Sequence, residues 1–194
     1  KFAGASRALL FTVDDDGTIA VRCRFWLPEA ALEKYPHRPY EQWQRAGLLT
    51  VTEGEVSDFD AIEDAVAELG DEWGLKEIGY DKRFAQQMAQ HLVGRGLTMV
   101  DTPQGFFLNE SLKRINELVT KQQLAHGGNA ILGWMAANAV VRHGRQKEIR
   151  LDKDAAKEKI DGIAALAMAM SRFIVQPAGT ESIYETRGLA TIGG

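Results

Sequence analysis

One cysteine, four histidines and no apolar run of membrane-spanning length are found in this chain of 194 residues. Cys23 cannot form an internal disulfide. It alternates with Arg22 and Arg24 in a β-rich run and reads as a half-buried, inert thiol compatible with a reducing cytoplasm. No second histidine lies at metal-ligand spacing from His126, which weakens a zinc reading. The missing apolar run, and the lack of a charged-then-apolar opening segment, point away from membrane insertion and secretion. No Gly-x-x-x-x-Gly-Lys-Ser/Thr pattern occurs, so no phosphate-binding loop of that kind is present to power movement. Positive charge is also short: 23 Lys and Arg against 27 Asp and Glu leave a formal net charge of −4. That balance argues against a protein coating nucleic acid by bulk attraction. It leaves room for an acidic centre rimmed locally by Lys and Arg. With 45% hydrophobic and 26% charged residues, the composition is that of one soluble globular domain with a sizeable core.

Arg7 to Val13 and Thr18 to Phe25 are β-rich runs joined by Asp14-Asp15-Asp16-Gly17, a hairpin signal. Three aspartates at an exposed tip converge on nothing, so they read as turn residues rather than a metal site. Short helices are expected from Glu29 to Lys34 and from Tyr40 to Ala46, then a strand from Leu48 to Thr52. Ser57 or Asp58 caps a helix whose inner face is Phe59, Ile62, Ala65, Val66 and Leu69. Leu75 to Tyr80 reads as a buried strand, Lys82 to Val93 as a helix and Leu97 to Val100 as a strand. Asn109 to Gln123 is an amphipathic helix with Leu112, Ile115, Leu118 and Val119 inside. Ala130 to Ala139 fits helix or strand by periodicity alone. Val140 to Arg142 and Glu148 to Leu151 predict a second hairpin. Asp154 is expected to cap a last helix reaching about Ile174, with Ile160, Ile163, Ala167, Met170 and Ile174 as its stripe. Residues 1–176 form the expected domain and 177–194 a tail. The alternation of strands and helices after a leading hairpin predicts an α/β fold: a mixed sheet flanked by helices, with its site at the carboxyl ends of parallel strands.

Two carboxylates stand out within that order. Asp81 closes the run Leu75-Lys76-Glu77-Ile78-Gly79-Tyr80, and Asp161 lies in Lys159-Ile160-Asp161-Gly162-Ile163-Ala164, among apolar helix residues. Desolvating a lone carboxylate costs several kcal/mol. A shared divalent cation would remove that cost, and Mg²⁺ and Mn²⁺ favour oxygen ligands. The plainer account is a strand-end Asp and a helix Asp, each solvated or capping backbone. Taken singly, each residue favours it.

Ile78-Gly79-Tyr80-Asp81, His126-Gly127-Gly128-Asn129, Trp134-Met135-Ala136-Ala137-Asn138 and Lys159-Ile160-Asp161-Gly162-Ile163-Ala164 resemble, in this order, the nuclease half of the large terminase subunit of tailed bacteriophages. Phe25-Trp26-Leu27-Pro28-Glu29 and Thr52-Glu53-Gly54-Glu55-Val56-Ser57-Asp58 match the same family upstream. The resemblance runs from about Ala8 to Arg172. It implies a ribonuclease H-like fold whose acids come from a first strand, a later strand end and the last helix. Asp81 fills the second role and Asp161 the third. The first-strand acid is expected upstream of Lys1, so the chain is expected to start one strand late. The implied activity is endonucleolytic cutting of concatemeric double-stranded viral DNA during packaging. Asp81 and Asp161 would serve as catalytic residues and as ligands of two Mg²⁺ or Mn²⁺ ions, with their carboxylates within about 4–7 Å of each other. The implied partners are viral DNA, the ATPase domain of the same subunit, the small terminase subunit and the portal ring. The implied setting is the host cytoplasm, transiently on the procapsid.

Around these acids the sequence offers further DNA contacts, each with a plainer alternative. Arg83 follows Asp81 at a helix start and suits a phosphate contact or a solvated first turn. His126 and Asn129 suit the cleft or a loop-shaping role. Trp134 reads as core, and Asn138 as hydrogen-bonded if buried. Arg142, Arg145 and Lys147, with His143 and Arg150, form the densest basic stretch and suit a DNA backbone or a merely solvated hairpin. A junction-resolvase-like nuclease of the same fold, and a non-catalytic docking module of the packaging motor, are the competing functions.

Overall fold

The structure, a computed structural model, describes residues 6–13, 17–145 and 147–175. β1 (Ser6–Val13) and β2 (Ile19–Pro28) pair antiparallel from Ser6 opposite Trp26 to Val13 opposite Ile19. Gly17 takes φ +79°, as an Asp-Gly turn demands, while Asp14–Asp16 lie outside the described residues. Two short helices follow, α1 (Ala30–Lys34) and α2 (Tyr40–Arg45), and then β3 (Thr50–Thr52), parallel to β2. Asp58 caps α3 (Phe59–Trp73), its carboxylate accepting the Ala61 N–H at 3.0 Å, and Gly74 ends the helix at φ +58°.

β4 (Ile78–Tyr80), α4 (Lys82–Gly94) and β5 (Met99–Asp101) form a parallel strand–helix–strand unit. A 3₁₀ turn over Gly105–Leu108 leads into α5 (Asn109–Thr120). β6 (Leu124–Ala125) adds to β2 in parallel, and Asn129 caps α6 (Ala130–Asn138). The hairpin β7 (Val141–His143) and β8 (Ile149–Leu151) precedes the last helix, α7 (Asp161–Val175).

β2 positions the core because both its faces are covered. Phe25 joins Val21, Leu27, Trp43, Ile131, Met135, Ile163 and Leu166 on one side. Trp26, one residue on, points to the other face and meets Ile62, Val66 and Leu92 of α3 and α4. Burial of each such side chain contributes about 1.5–3 kcal/mol. α7 is apolar nearly all round, since it packs Leu166 into the first cluster, Ala167 and Met168 against Leu108 and Leu112, and Met170 against Ile19 and Leu118. Cys23 is half-buried, and burial pushes its thiol up to about 11, as an inert thiol requires.

Several expectations need correction. Among the described residues the strands do not join into one central sheet: β1, β2, β3 and β6 form one, β4 and β5 a second, β7 and β8 a third. α7 lies against both β1 and β4 and bridges the first two. The last helix begins at Asp161, not after Asp154, because Asp152 closes its own turn by accepting the Asp154 and Ala155 N–H groups at 3.2 Å. Only Ile78–Tyr80 of the expected strand from Leu75 is extended, and it is half-buried. Phe59, Val119 and Ile174 are exposed rather than inward. In α5 the small Ser111, not Val119, completes the inner face. The expected tail from 177 lies outside the described residues.

Candidate active site

β4 ends at Tyr80, and the next residue turns the chain into α4 instead of prolonging the strand. Asp81 does this with its side chain: Oδ1 accepts the Arg83 backbone N–H at 3.1 Å, an N-cap bond. The Arg83 guanidinium then closes on the same carboxylate, Nε donating to Oδ1 at 3.0 Å and Nη2 to Oδ2 at 2.6 Å. Asp81 is 7% exposed, whereas the Arg83 side chain is 62% exposed. The Arg83 fork outweighs the opposing effect of burial and holds the Asp81 carboxyl below the usual carboxylate range, with Gln104 a lesser contributor. Ala85, at φ −136° and ψ 25°, sets this opening turn off from the rest of α4.

Asp161 is the first residue of α7. Its neighbour Ile160 starts the helix by accepting the Ile163 and Ala164 N–H groups at 3.0 and 3.1 Å. A carboxylate in a first turn is favoured by the helix dipole. The Asp161 side chain is 15% exposed, and Lys153 Nζ stands 3.5 Å from its Oδ1. Each of the two acids therefore faces a cation from its own neighbourhood.

Gly79 brings their elements together. A Cβ at this position would stand 2.9 Å from Thr102 Oγ1, 3.2 Å from Arg172 Cγ and 3.6 Å from the Met168 carbonyl oxygen, so β4 approaches α7 as only glycine allows. Glu77, two residues upstream, binds the Arg172 guanidinium at 2.8 and 3.2 Å. β4 and α7, the elements that carry Asp81 and Asp161, thus meet where Glu77 and Gly79 face Met168 and Arg172.

Most of the other singled-out residues have local partners or exposed positions of their own. Asn129 spends its Oδ1 on the Leu132 N–H at 3.0 Å, so helix capping accounts for it. His126 is half-buried with Nδ1 unpartnered. Asn138 donates to the Trp134 carbonyl at 2.8 Å, and Trp134 packs edge-on to Trp43 at 5.4 Å, as a core residue does. Arg142 pairs with Asp152 at 2.8 Å, while Arg145 and Lys147 are exposed at the hairpin tip. Among the described residues no three His, Cys, Asp or Glu side chains gather as a metal cage.

The chain matches the family described as terminase large subunit, endonuclease domain, over residues 5–176. The chain belongs to this family. The terminase large subunit of Enterobacteria phage HK97 is 30% identical over 162 residues, covering 80% of this chain and 32% of that protein. Protein YmfN of Escherichia coli K12 is 28% identical over 180 residues, covering 86% of this chain and 40% of its own length. The crystal structure of the HK97 large terminase superposes with a TM-score of 0.79 at 28% identity, covering 87% of this chain and 36% of that one. The chain thus spans about a third to two fifths of the length of these relatives.

Asp152 is the residue of this terminase domain that the charge pattern hid. Followed by Lys153 and Asp154 it reads as helix surface, yet it is buried. The Ala155 N–H first, then the Arg142 charge, hold its carboxyl below the usual range. The signal for it was Asp followed two and three residues on by unpaired backbone N–H groups, an Asx turn. Both Asp81 and Asp152 are depressed in the fold, so their stabilisation is present above the ordinary carboxylate pKa of about 3.9 and lost as pH falls through the folded values. Urea unfolding between neutral and strongly acidic pH should show the Asp152→Asn variant less stable than the parent at neutral pH. Its stability should also fall less as acid is added. Parallel curves for the two proteins would mean that the Asp152 charge plays no part.

Proposed function

We propose that this domain is a divalent-metal-dependent endodeoxyribonuclease that cuts concatemeric double-stranded viral DNA during genome packaging. Asp81 and Asp161 are its metal ligands, on a ribonuclease H-like arrangement of strands and last helix. The observation that carries this reading is the close packing of β4 on α7 at Gly79, since one of these elements ends at a buried carboxylate and the other begins with a half-buried one. The donor chemistry fits: both groups offer hard carboxylate oxygens, and each already faces a positive charge.

Asp81 is held in place by its cap bond and by burial. Asp161 is fixed by the first turn of the most buried helix. Asp81 and Asp161 would hold Mg²⁺ or Mn²⁺, which would supply an activated water and offset charge on the leaving oxygen. Arg145 and Lys147 at the hairpin tip hold phosphates, and contacts to the backbone read no sequence. Arg142 is left to its structural pair with Asp152. The packaging partners of the whole subunit, namely the ATPase domain, small subunit and portal ring, belong to the same reading, as does the host cytoplasm. No helix among the described residues is long and apolar enough to cross a membrane.

Supercoiled plasmid incubated with Mn²⁺ and the domain extended upstream through the expected first strand should become nicked and linear, and chelation or Asp81→Asn should prevent it. DNA left intact by that extended domain in both Mg²⁺ and Mn²⁺ would fit a docking module and contradict the proposal. Neutralising Arg145 and Lys147 together should lower the slope of log affinity against log salt by about two units on any DNA sequence. An unchanged slope would assign the hairpin to a protein partner.

A further inference from the structure

Arg83 occupies a costly place. It lies in the opening turn of a 13-residue helix, where cations are disfavoured, and its side chain is mostly in solvent. What holds it is Asp81, whose two oxygens it covers with a fork of bonds at 3.0 and 2.6 Å. Lys82, beside it, is engaged differently, with Asp101 at 3.2 Å. A divalent ion approaching Asp81 must therefore meet a guanidinium already seated on both ligand oxygens, and the two positive charges repel. An exposed side chain on a long stem can leave that seat without desolvation.

We infer that Arg83 is the resident counterion of Asp81, which holds the carboxylate in the absence of metal, is displaced by the metal ion, and then engages a DNA phosphate at the rim of the site. This rests on the nuclease reading and extends it. Metal and DNA then help each other: a phosphate that draws Arg83 away uncovers Asp81, so DNA raises metal affinity and metal raises DNA affinity by the same factor. Lys153 repeats the arrangement at Asp161 more loosely, with one contact at 3.5 Å and no fork. A lysine lacks the planar pair of donors that would cover both oxygens.

The test is a titration of free Mn²⁺ by electron paramagnetic resonance, on the 194-residue protein with and without a short duplex, corrected for Mn²⁺ bound by the duplex alone. Arg83→Gln should bind Mn²⁺ about tenfold more tightly than the parent without DNA, the scale of one partly screened charge at contact distance. In the parent, DNA should tighten Mn²⁺ binding, and in Arg83→Gln that gain should vanish. A structural role for Arg83 would instead weaken metal binding when the side chain is removed. Equal or weaker Mn²⁺ affinity in Arg83→Gln, or a DNA-linked gain that survives the substitution, overturns the inference and leaves the nuclease reading standing. Absence of Mn²⁺ binding in the parent, with and without DNA, removes both. Should the Gln variant not fold, Arg83→Lys serves, with affinity expected between parent and Gln; affinity at or below the parent's overturns the inference.

Discussion

Asp161→Asn should abolish metal-dependent cleavage while leaving the fold nearly as stable as before. The expected loss of activity exceeds about a hundredfold, because a supporting contact behind a metal ligand already costs 10–100-fold and Asp161 is assigned as a ligand itself. The stability change is small for reasons visible around the side chain. Its ion pair with Lys153 is a contact at 3.5 Å with both groups partly in water, an interaction of about 0–1 kcal/mol. Its favourable place in the first turn of α7 adds about 0.3–1 kcal/mol, part of which Asn loses. Together these shift the melting temperature by a few degrees at this size. Thermal melting beside plasmid cleavage checks both halves. A variant that melts far below the parent would make Asp161 a structural residue. Asp81→Asn should also end cleavage, but at a greater cost in stability, since it loses the charge that Arg83 grips while keeping the cap.

Gly79→Val should damage both fold and activity from a residue that carries no chemistry. A Cβ there meets Thr102 Oγ1 at 2.9 Å and Arg172 Cγ at 3.2 Å, and neither neighbour yields readily. Thr102 donates to the Val100 carbonyl at 3.1 Å, and Arg172 is tied to Glu77. Over-packing of this kind costs about 1–3 kcal/mol. The branched side chain also wedges β4 from α7, which are the two elements carrying Asp81 and Asp161. Cleavage per folded molecule should therefore fall more than the folded fraction does. Denaturant titration with cleavage at a temperature where the variant is folded separates the two effects. Full activity in a folded Val variant would mean that the strand–helix spacing does not set the site.

Much of the fold could be read from local chemistry. The Asp-Gly turn, the Asp58 cap and the basic hairpin all depend on neighbours close in sequence, and the structure forms the last two as the residues suggest. Asp81 at the end of β4 is of the same kind. What escaped depends on contacts distant in sequence, or on a choice between two local bonds. Asp154 looks like a helix cap until Asp152 takes the Asp154 and Ala155 N–H groups into a turn of its own, and α7 begins only at Asp161. Phe59 and Val119 have helical spacing, but the elements that would cover them lie elsewhere. The separation of β4 and β5 from the larger sheet is invisible to periodicity, because α7 rather than a strand lies against both. Arg83 was read as a phosphate contact or a solvated turn, and its grip on Asp81 needed coordinates to see.

The most direct test of the central claim is anomalous scattering from crystals of the protein soaked in Mn²⁺. The expected result is a manganese peak contacted by carboxylate oxygens of both Asp81 and Asp161, with the Arg83 guanidinium moved off Asp81. Peaks only elsewhere on the surface, or the two carboxylates turned to opposite faces of the β4–α7 pair, would contradict it.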